Sequence, residues 1–172
     1  MAKYKLIFFD LDGTLLTSNY ELLPSTLKAI EDIRGSGLKV SVATGRSYKS
    51  AKPFLDKLNI TEPVVLYNGS ALRYPQAPKT KVISGIPRQN AMTIFQLLSD
   101  FKVSAKAHLG DGTLYKLDDT PWPDEGEYFE VGIIDPSIKE TLKEDPVKIV
   151  VYGLFEKAET FESELKQALG EA

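Results

Sequence analysis

With 172 residues, the chain has room for one ordinary domain or two very small ones. Its 42% hydrophobic and 26% charged residues make a globular composition, and a formal net charge of -3 with scattered Lys and Arg argues against a nucleic-acid partner. There is no cysteine, which excludes disulfides and thiolate metal sites, and no apolar stretch reads as a secretory leader or a membrane span, so a cytoplasmic setting away from membranes is expected.

Leu6 to Phe9 is a continuous apolar run and predicts a strand buried on both faces. An Asp-Gly turn follows within Asp10 to Thr14. Pro24 opens a helix whose buried face carries Leu27, Ile30, Ile33 and Arg34, and Gly35 and Gly37 end it. Leu38 to Ala43 predicts a second strand, Ser47 caps a helix running to about Leu58, and Pro63 leads into a third strand, Val64 to Tyr67. Asn68-Gly69 is a turn. A β-α-β-α-β order makes a parallel sheet whose functional loops lie at the carboxyl ends of the strands.

Composition shifts at Tyr74 to Pro78, and the expected division is 1–79 and 80–172. The second region predicts a strand at Lys81 to Ser84 and a helix after Pro87 with Met92, Phe95, Leu97 and Leu98 as its apolar positions. A strand from Phe101 to Ala107 is expected to turn through Gly110-Asp111-Gly112 into Thr113 to Lys116 as a hairpin. A loop from Asp118 to Glu127, a short helix near Pro136 to Lys143, a strand at Val147 to Tyr152 and an amphipathic helix from Glu156 to Leu169 complete it. The expectation is an α+β region with antiparallel pairing.

Asp10-Leu11-Asp12-Gly13-Thr14 carries the most chemical information. Carboxylates two residues apart share a face of an extended chain, and such a pair is costly unless a cation lies between. Oxygen ligands of this kind suit Mg²⁺. Gly13 permits a sharp turn that exposes N–H groups to an anion. The plain alternative is an Asx-capped turn. Thr44-Gly45-Arg46 ends the second strand on the same rim, where a hydroxyl and a helix N-terminus could take a phosphoryl oxygen. A simple strand-to-helix junction is the alternative there, as a simple turn is for Asn68-Gly69.

Phe8 to Leu15 resembles the first motif of the haloacid dehalogenase-like hydrolases. Val42-Ala43-Thr44-Gly45-Arg46 resembles the second motif as written in their Cof-type sugar-phosphate phosphatase branch, subfamily IIB. The resemblance implies a partial Rossmann-like core with a parallel sheet, plus an α+β cap of C2 type. It implies that Asp10 is the nucleophile and that Asp12 protonates the leaving alcohol and then activates water. Mg²⁺ is implied on the Asp10 carboxylate and the Asp12 main-chain carbonyl. Thr44 and Gly45, with Gly13, would bind the phosphoryl group, while Arg46 and Asn68 would line the entrance toward the leaving group. The implied substrate is a small phosphorylated metabolite, with sugar phosphates foremost. A phosphomutase and a non-catalytic phosphate-binding protein stay open as alternatives.

Two family motifs that follow the cap, a lysine and a Gly-Asp…Asn-Asp strand end completing the Mg²⁺ ligands, are not found in this sequence. Gly110-Asp111 belongs to the hairpin and is followed by Gly-Thr. The expectation is therefore an N-terminal part of the core and an incomplete cap, with activity of the isolated chain in question. Uncovered sheet surface would then be an edge for self-association or a complementing chain. A fragment, a split protein and a degenerate protein all stay open. His108, the sole histidine, is expected at the surface or half-buried. Trp122 is expected either to pack its loop or to touch substrate.

Overall fold

The computed structural model describes residues 4–122 and 130–170, in two compact units, Met1–Ile83 and Ser84–Ala172. The first contains β1 (Leu6–Phe9), α1 (Pro24–Gly35), β2 (Lys39–Val42), α2 (Tyr48–Lys57), β3 (Val64–Leu66), β4 (Ala71–Arg73) and β5 (Lys81–Val82). Strands β1 and β2 run parallel in a register that aligns Leu6 with Lys39 and Phe9 with Val42. On its other side β2 meets β3 in parallel at Ala43 and Val65, where the Thr44 N–H donates to the Val65 carbonyl at 3.0 Å. The α/β reading with a parallel sheet is therefore what the structure shows.

One expectation fails at β1. Phe8 is 43% exposed, so this strand is not buried on both faces. Among the described residues β1 pairs with β2 alone, whereas β2 has neighbours on both sides and buries Val40, Ser41 and Val42. A continuous apolar run does not by itself distinguish the two situations.

Helix α1 starts with Pro24 at its first position, where a missing N–H costs nothing. Near its other end the Arg34 guanidinium donates to the carbonyls of Leu58 and Asn59, at 2.7 and 3.1 Å. That side chain, expected on the buried face, thus satisfies carbonyls at the end of α2. Ser47 caps α2 as expected, its Oγ accepting from the Ser50 N–H at 3.1 Å.

Strands β3, β4 and β5 form an antiparallel sheet, with Leu66 opposite Ala71 and Leu72 opposite Lys81. The strand foreseen at Lys81 thus pairs within the first unit, and the division falls at Ile83, four residues beyond the expected 79. The reason is hydrogen bonding: the Ile83 N–H still donates to the Ser70 carbonyl at 2.9 Å.

The second unit contains α3 (Arg88–Phe101), β6 (Ser104–His108), β7 (Leu114–Lys116), β8 (Ile133–Ile134), α4 (Ile138–Thr141), β9 (Lys148–Tyr152) and α5 (Ala158–Leu169). Its sheet has the order β8-β7-β6-β9. The foreseen hairpin is present as β6 and β7, and β9 pairs antiparallel on the other side of β6. The β7–β8 pair is parallel, a departure from a wholly antiparallel region. Phe101 belongs to the end of α3 rather than to a strand, because Lys102 closes the helix in the left-handed conformation at φ 53°.

Small side chains on β6 let the helices approach. Ala105 and Ala107 are buried in a core with Phe95 and Leu98 of α3, Ile138 of α4 and Phe161 of α5. Burying a side chain the size of Phe95 contributes about 1.5–3 kcal/mol, and the edge-to-face contact of Phe101 with Phe161, centroids 5.3 Å apart, adds to it. On the alternate face Lys106 and Lys116 stand opposite each other, and both are buried. Trp122 packs under the Lys106 ammonium at 4.2 Å and against Tyr152 at 5.4 Å between centroids, so it packs its loop against β6 and β9 of this unit. His108 is partly buried, with Nδ1 3.9 Å from Glu130. The remainder of the expected Asp118–Glu127 loop beyond Trp122 lies outside the described residues. No helix among the described residues is long and apolar enough to cross a membrane.

Candidate active site

Three loops end the parallel strands on one rim, and each holds its residues by a local device. After β1, Leu11 is fully buried and its carbonyl accepts the N–H groups of Thr14, Leu15 and Leu16 at 3.3, 3.0 and 2.8 Å. Gly13 makes that turn in the left-handed region, at φ 73°. Because Leu11 points inward, Asp10 and Asp12 on either side of it are both exposed. One oxygen of Asp10 accepts from the Leu11 N–H at 2.7 Å, which fixes the carboxylate without enclosing it.

The loop after β2 is buried at Thr44. Its main-chain carbonyl accepts from the Asn68 N–H at 3.1 Å, and its hydroxyl accepts from the Arg46 N–H at 3.2 Å while keeping its own proton to donate. The loop after β3 takes an unusual path: Tyr67, Asn68 and Gly69 have φ of 50°, 56° and 106°. Two successive non-glycine residues in this region carry strain that only their surroundings sustain. The Tyr67 N–H donates to the Arg46 carbonyl at 3.1 Å, which with the Asn68–Thr44 bond straps the third loop to the second.

The result is an open cavity of about 400 Å³ lined by Asp10, Ala43, Thr44, Gly45, Val65, Asn68 and Gly69. A carboxylate, a hydroxyl and a side-chain amide thus converge from three strands. Asn68 fits so close to Gly45 that a Cβ on Gly45 would stand 2.7 Å from its Oδ1. Glycine at 45 leaves room for the Asn68 side chain in this wall.

Arg46 is not among the residues that line this cavity. Its side chain is 6% exposed and turns back onto Asp12, Nε to Oδ2 at 2.8 Å and Nη2 to Oδ1 at 2.7 Å. The guanidinium prefers this arrangement because its planar fork matches a carboxylate, a pairing whose charged hydrogen bonds contribute about 1.5–3 kcal/mol each before solvent screening. The Asp12 side chain is 44% exposed, which moderates that figure. Two rings, Tyr20 and Phe54, lie 5.1 Å from the guanidinium carbon.

Asp10, Thr44, Gly45 and Asn68 therefore share one cavity, whereas Gly13, which shapes the first loop's turn, and Asp12, held by Arg46, are not in its lining. Oxygen donors at Asp10 and Asp12 are of the chemical kind that Mg²⁺ takes. Among the described residues no third acidic side chain joins them in a metal-binding group. Gly69 was expected on this rim and Ala43 stands within the second motif, whereas Val65 in the lining, and Tyr20 and Phe54 beside Arg46, were not foreseen. Only Phe54 had a signal, as an apolar position of a capped helix.

The sequence profile of the haloacid dehalogenase-like hydrolases matches residues 7–172. The chain is similar to the pyridoxal phosphate phosphatase YbhA of Escherichia coli, with 29% identity over 112 residues, 65% of this chain and 41% of that protein. It is also similar to the 5-amino-6-(5-phospho-D-ribitylamino)uracil phosphatase YitU of Bacillus subtilis, with 24% identity over 172 residues, 99% of this chain and 64% of that one. A solved haloacid dehalogenase-like hydrolase from Bacteroides thetaiotaomicron shares the fold at a TM-score of 0.80 and 21% identity, over 98% of this chain and 65% of that one. The chain thus spans less than two thirds of the length of these relatives. With a profile match over nearly all its residues, the chain belongs to the haloacid dehalogenase-like hydrolases, in their Cof-type branch.

Proposed function

We propose that this chain carries the nucleophile side of a Mg²⁺-dependent phosphomonoester hydrolase acting on small phosphorylated metabolites, sugar phosphates foremost. The observation that supports it most is the cavity in which Asp10 meets Thr44, Gly45 and Asn68. Both named relatives are phosphatases of small phosphorylated compounds, which supports the same substrate class.

In this reading the open oxygen of Asp10 attacks phosphorus, the bond to the leaving oxygen breaks, and an aspartyl phosphate forms. Asp12 gives a proton to the departing alkoxide, then takes one from the water that cleaves the intermediate. The Thr44 hydroxyl and the loop around Gly45 bind the phosphoryl oxygens, and Gly13 lets the first loop turn its N–H groups toward them. Asn68 lines the wall nearest the leaving group. Asp10 and the Asp12 main-chain carbonyl would hold Mg²⁺, which supplies charge neutralisation for the transferring group. The second unit is assigned the part of a cap that excludes water and selects the leaving group. A chain without cysteine is in keeping with a cytoplasmic setting.

The test is hydrolysis of p-nitrophenyl phosphate by wild type and Asp10→Asn, with and without Mg²⁺. The substitution keeps the oxygen that accepts from Leu11. We expect turnover that needs Mg²⁺ and falls by about a thousandfold or more in the variant. A folded wild type without turnover, or a variant equal to it, contradicts the reading.

A further inference from the structure

We propose that Tyr20, with Phe54, is a positioning residue that holds the Arg46 guanidinium on the carboxylate of Asp12. Both rings lie 5.1 Å from the guanidinium carbon, the distance at which an aromatic face attracts a cation. The Arg46 side chain is buried while its partner Asp12 is 44% exposed. Water therefore competes for the carboxylate far more readily than for the guanidinium. Fixing the plane of the arginine is what keeps the two-bonded arrangement in place against that competition.

Tyr20 reaches this position by a local cost. Its φ is 59°, a region that non-glycine residues seldom adopt. The loop around it closes tightly on Thr17. The Tyr20 N–H donates to the Thr17 carbonyl at 3.0 Å, and the Thr17 N–H donates to the Glu21 carbonyl at 3.0 Å. The Thr17 hydroxyl also accepts the N–H groups of Asn19 and Glu21, at 3.3 and 3.2 Å. Such a turn would form more easily with glycine at position 20, so a tyrosine there marks a use for its ring. Phe54 needs no such device, since α2 buries it.

A bearing on catalysis follows only if Asp12 moves protons as proposed above, and the deciding experiment is independent of that. It measures solvent exchange of the Arg46 Nε–H by ¹⁵N NMR in the whole chain, for wild type and for Tyr20→Phe, Tyr20→Leu and Tyr20→Gly. Wild type and Tyr20→Phe should both show a protected Nε–H. In Tyr20→Leu and Tyr20→Gly exchange should quicken by about tenfold or more. The glycine variant also relieves the left-handed backbone, so its thermal midpoint should equal or exceed that of wild type, separating lost positioning from lost folding. Where p-nitrophenyl phosphate is turned over, kcat should fall in the leucine and glycine variants with KM within about twofold, the pattern of a disturbed proton-transfer group. Wild-type exchange in the leucine and glycine variants overturns the inference. Absence of turnover in wild type would instead count against the hydrolase reading, leaving the exchange comparison to decide the role of Tyr20.

Discussion

Gly45 shows how one residue ties shape to chemistry. A methyl group there would meet the tip of Asn68, an exposed and movable side chain, and not the backbone. Gly45→Ala should therefore fold with a loss of at most about 1 kcal/mol, while Asn68 swings out of the wall and turnover of p-nitrophenyl phosphate drops by about tenfold or more. Urea denaturation and steady-state kinetics on the same preparation check this; unaltered turnover would remove Asn68 from the working site. Asp10, Thr44 and Gly45 were legible in the sequence because each stands directly after an apolar strand, and parallel strands deliver their ends to one rim. The destination of Arg46 was not legible. Its partner lies 34 residues earlier, and a motif fixes where a side chain starts but not the long-range charge it turns to.

At the scale of elements, periodicity served where strands and helices were long. The alternation of strands and helices through β3, the Ser47 cap of α2 and the β6–β7 hairpin all emerged as expected. β4 escaped notice and β5 was given to the wrong unit because strands of three and two residues hold too few alternations to read. The segment after β7 carries a titratable marker of the second unit's packing. Burial raises the Asp118 carboxyl, but hydrogen bonds from Thr120 and Ser104 and the charge of Lys116 outweigh it and leave its pKa below the ordinary value. A depressed carboxyl adds stability that is present above the unfolded-state pKa and is lost as pH falls through the folded value. The urea midpoint of the second unit should therefore decline as pH drops below about 4, and Asp118→Asn should flatten that decline. An identical slope in the variant would show that this network does not couple folding to protons.

At the scale of the whole molecule, the chain combines a parallel α/β unit bearing the candidate site with an α+β unit built on its own core. The fold class was legible because the β-α-β-α-β order admits few topologies. The exposed Phe8 on β1 was not, since burial of a strand's second face depends on what packs over that face and not on the strand's own sequence. Among the described residues β1 pairs on one side only, and at its other edge we propose that a complementing chain would pair.

In the proposed reaction Asp10 becomes phosphorylated. Incubating the chain with p-nitrophenyl phosphate and Mg²⁺, quenching in acid and mapping peptides by mass spectrometry tests it directly. A single phosphoryl group is expected, carried by the peptide containing Asp10 and absent from Asp10→Asn. A phosphoryl group on any other residue, or the same labelling in Asp10→Asn, would contradict it.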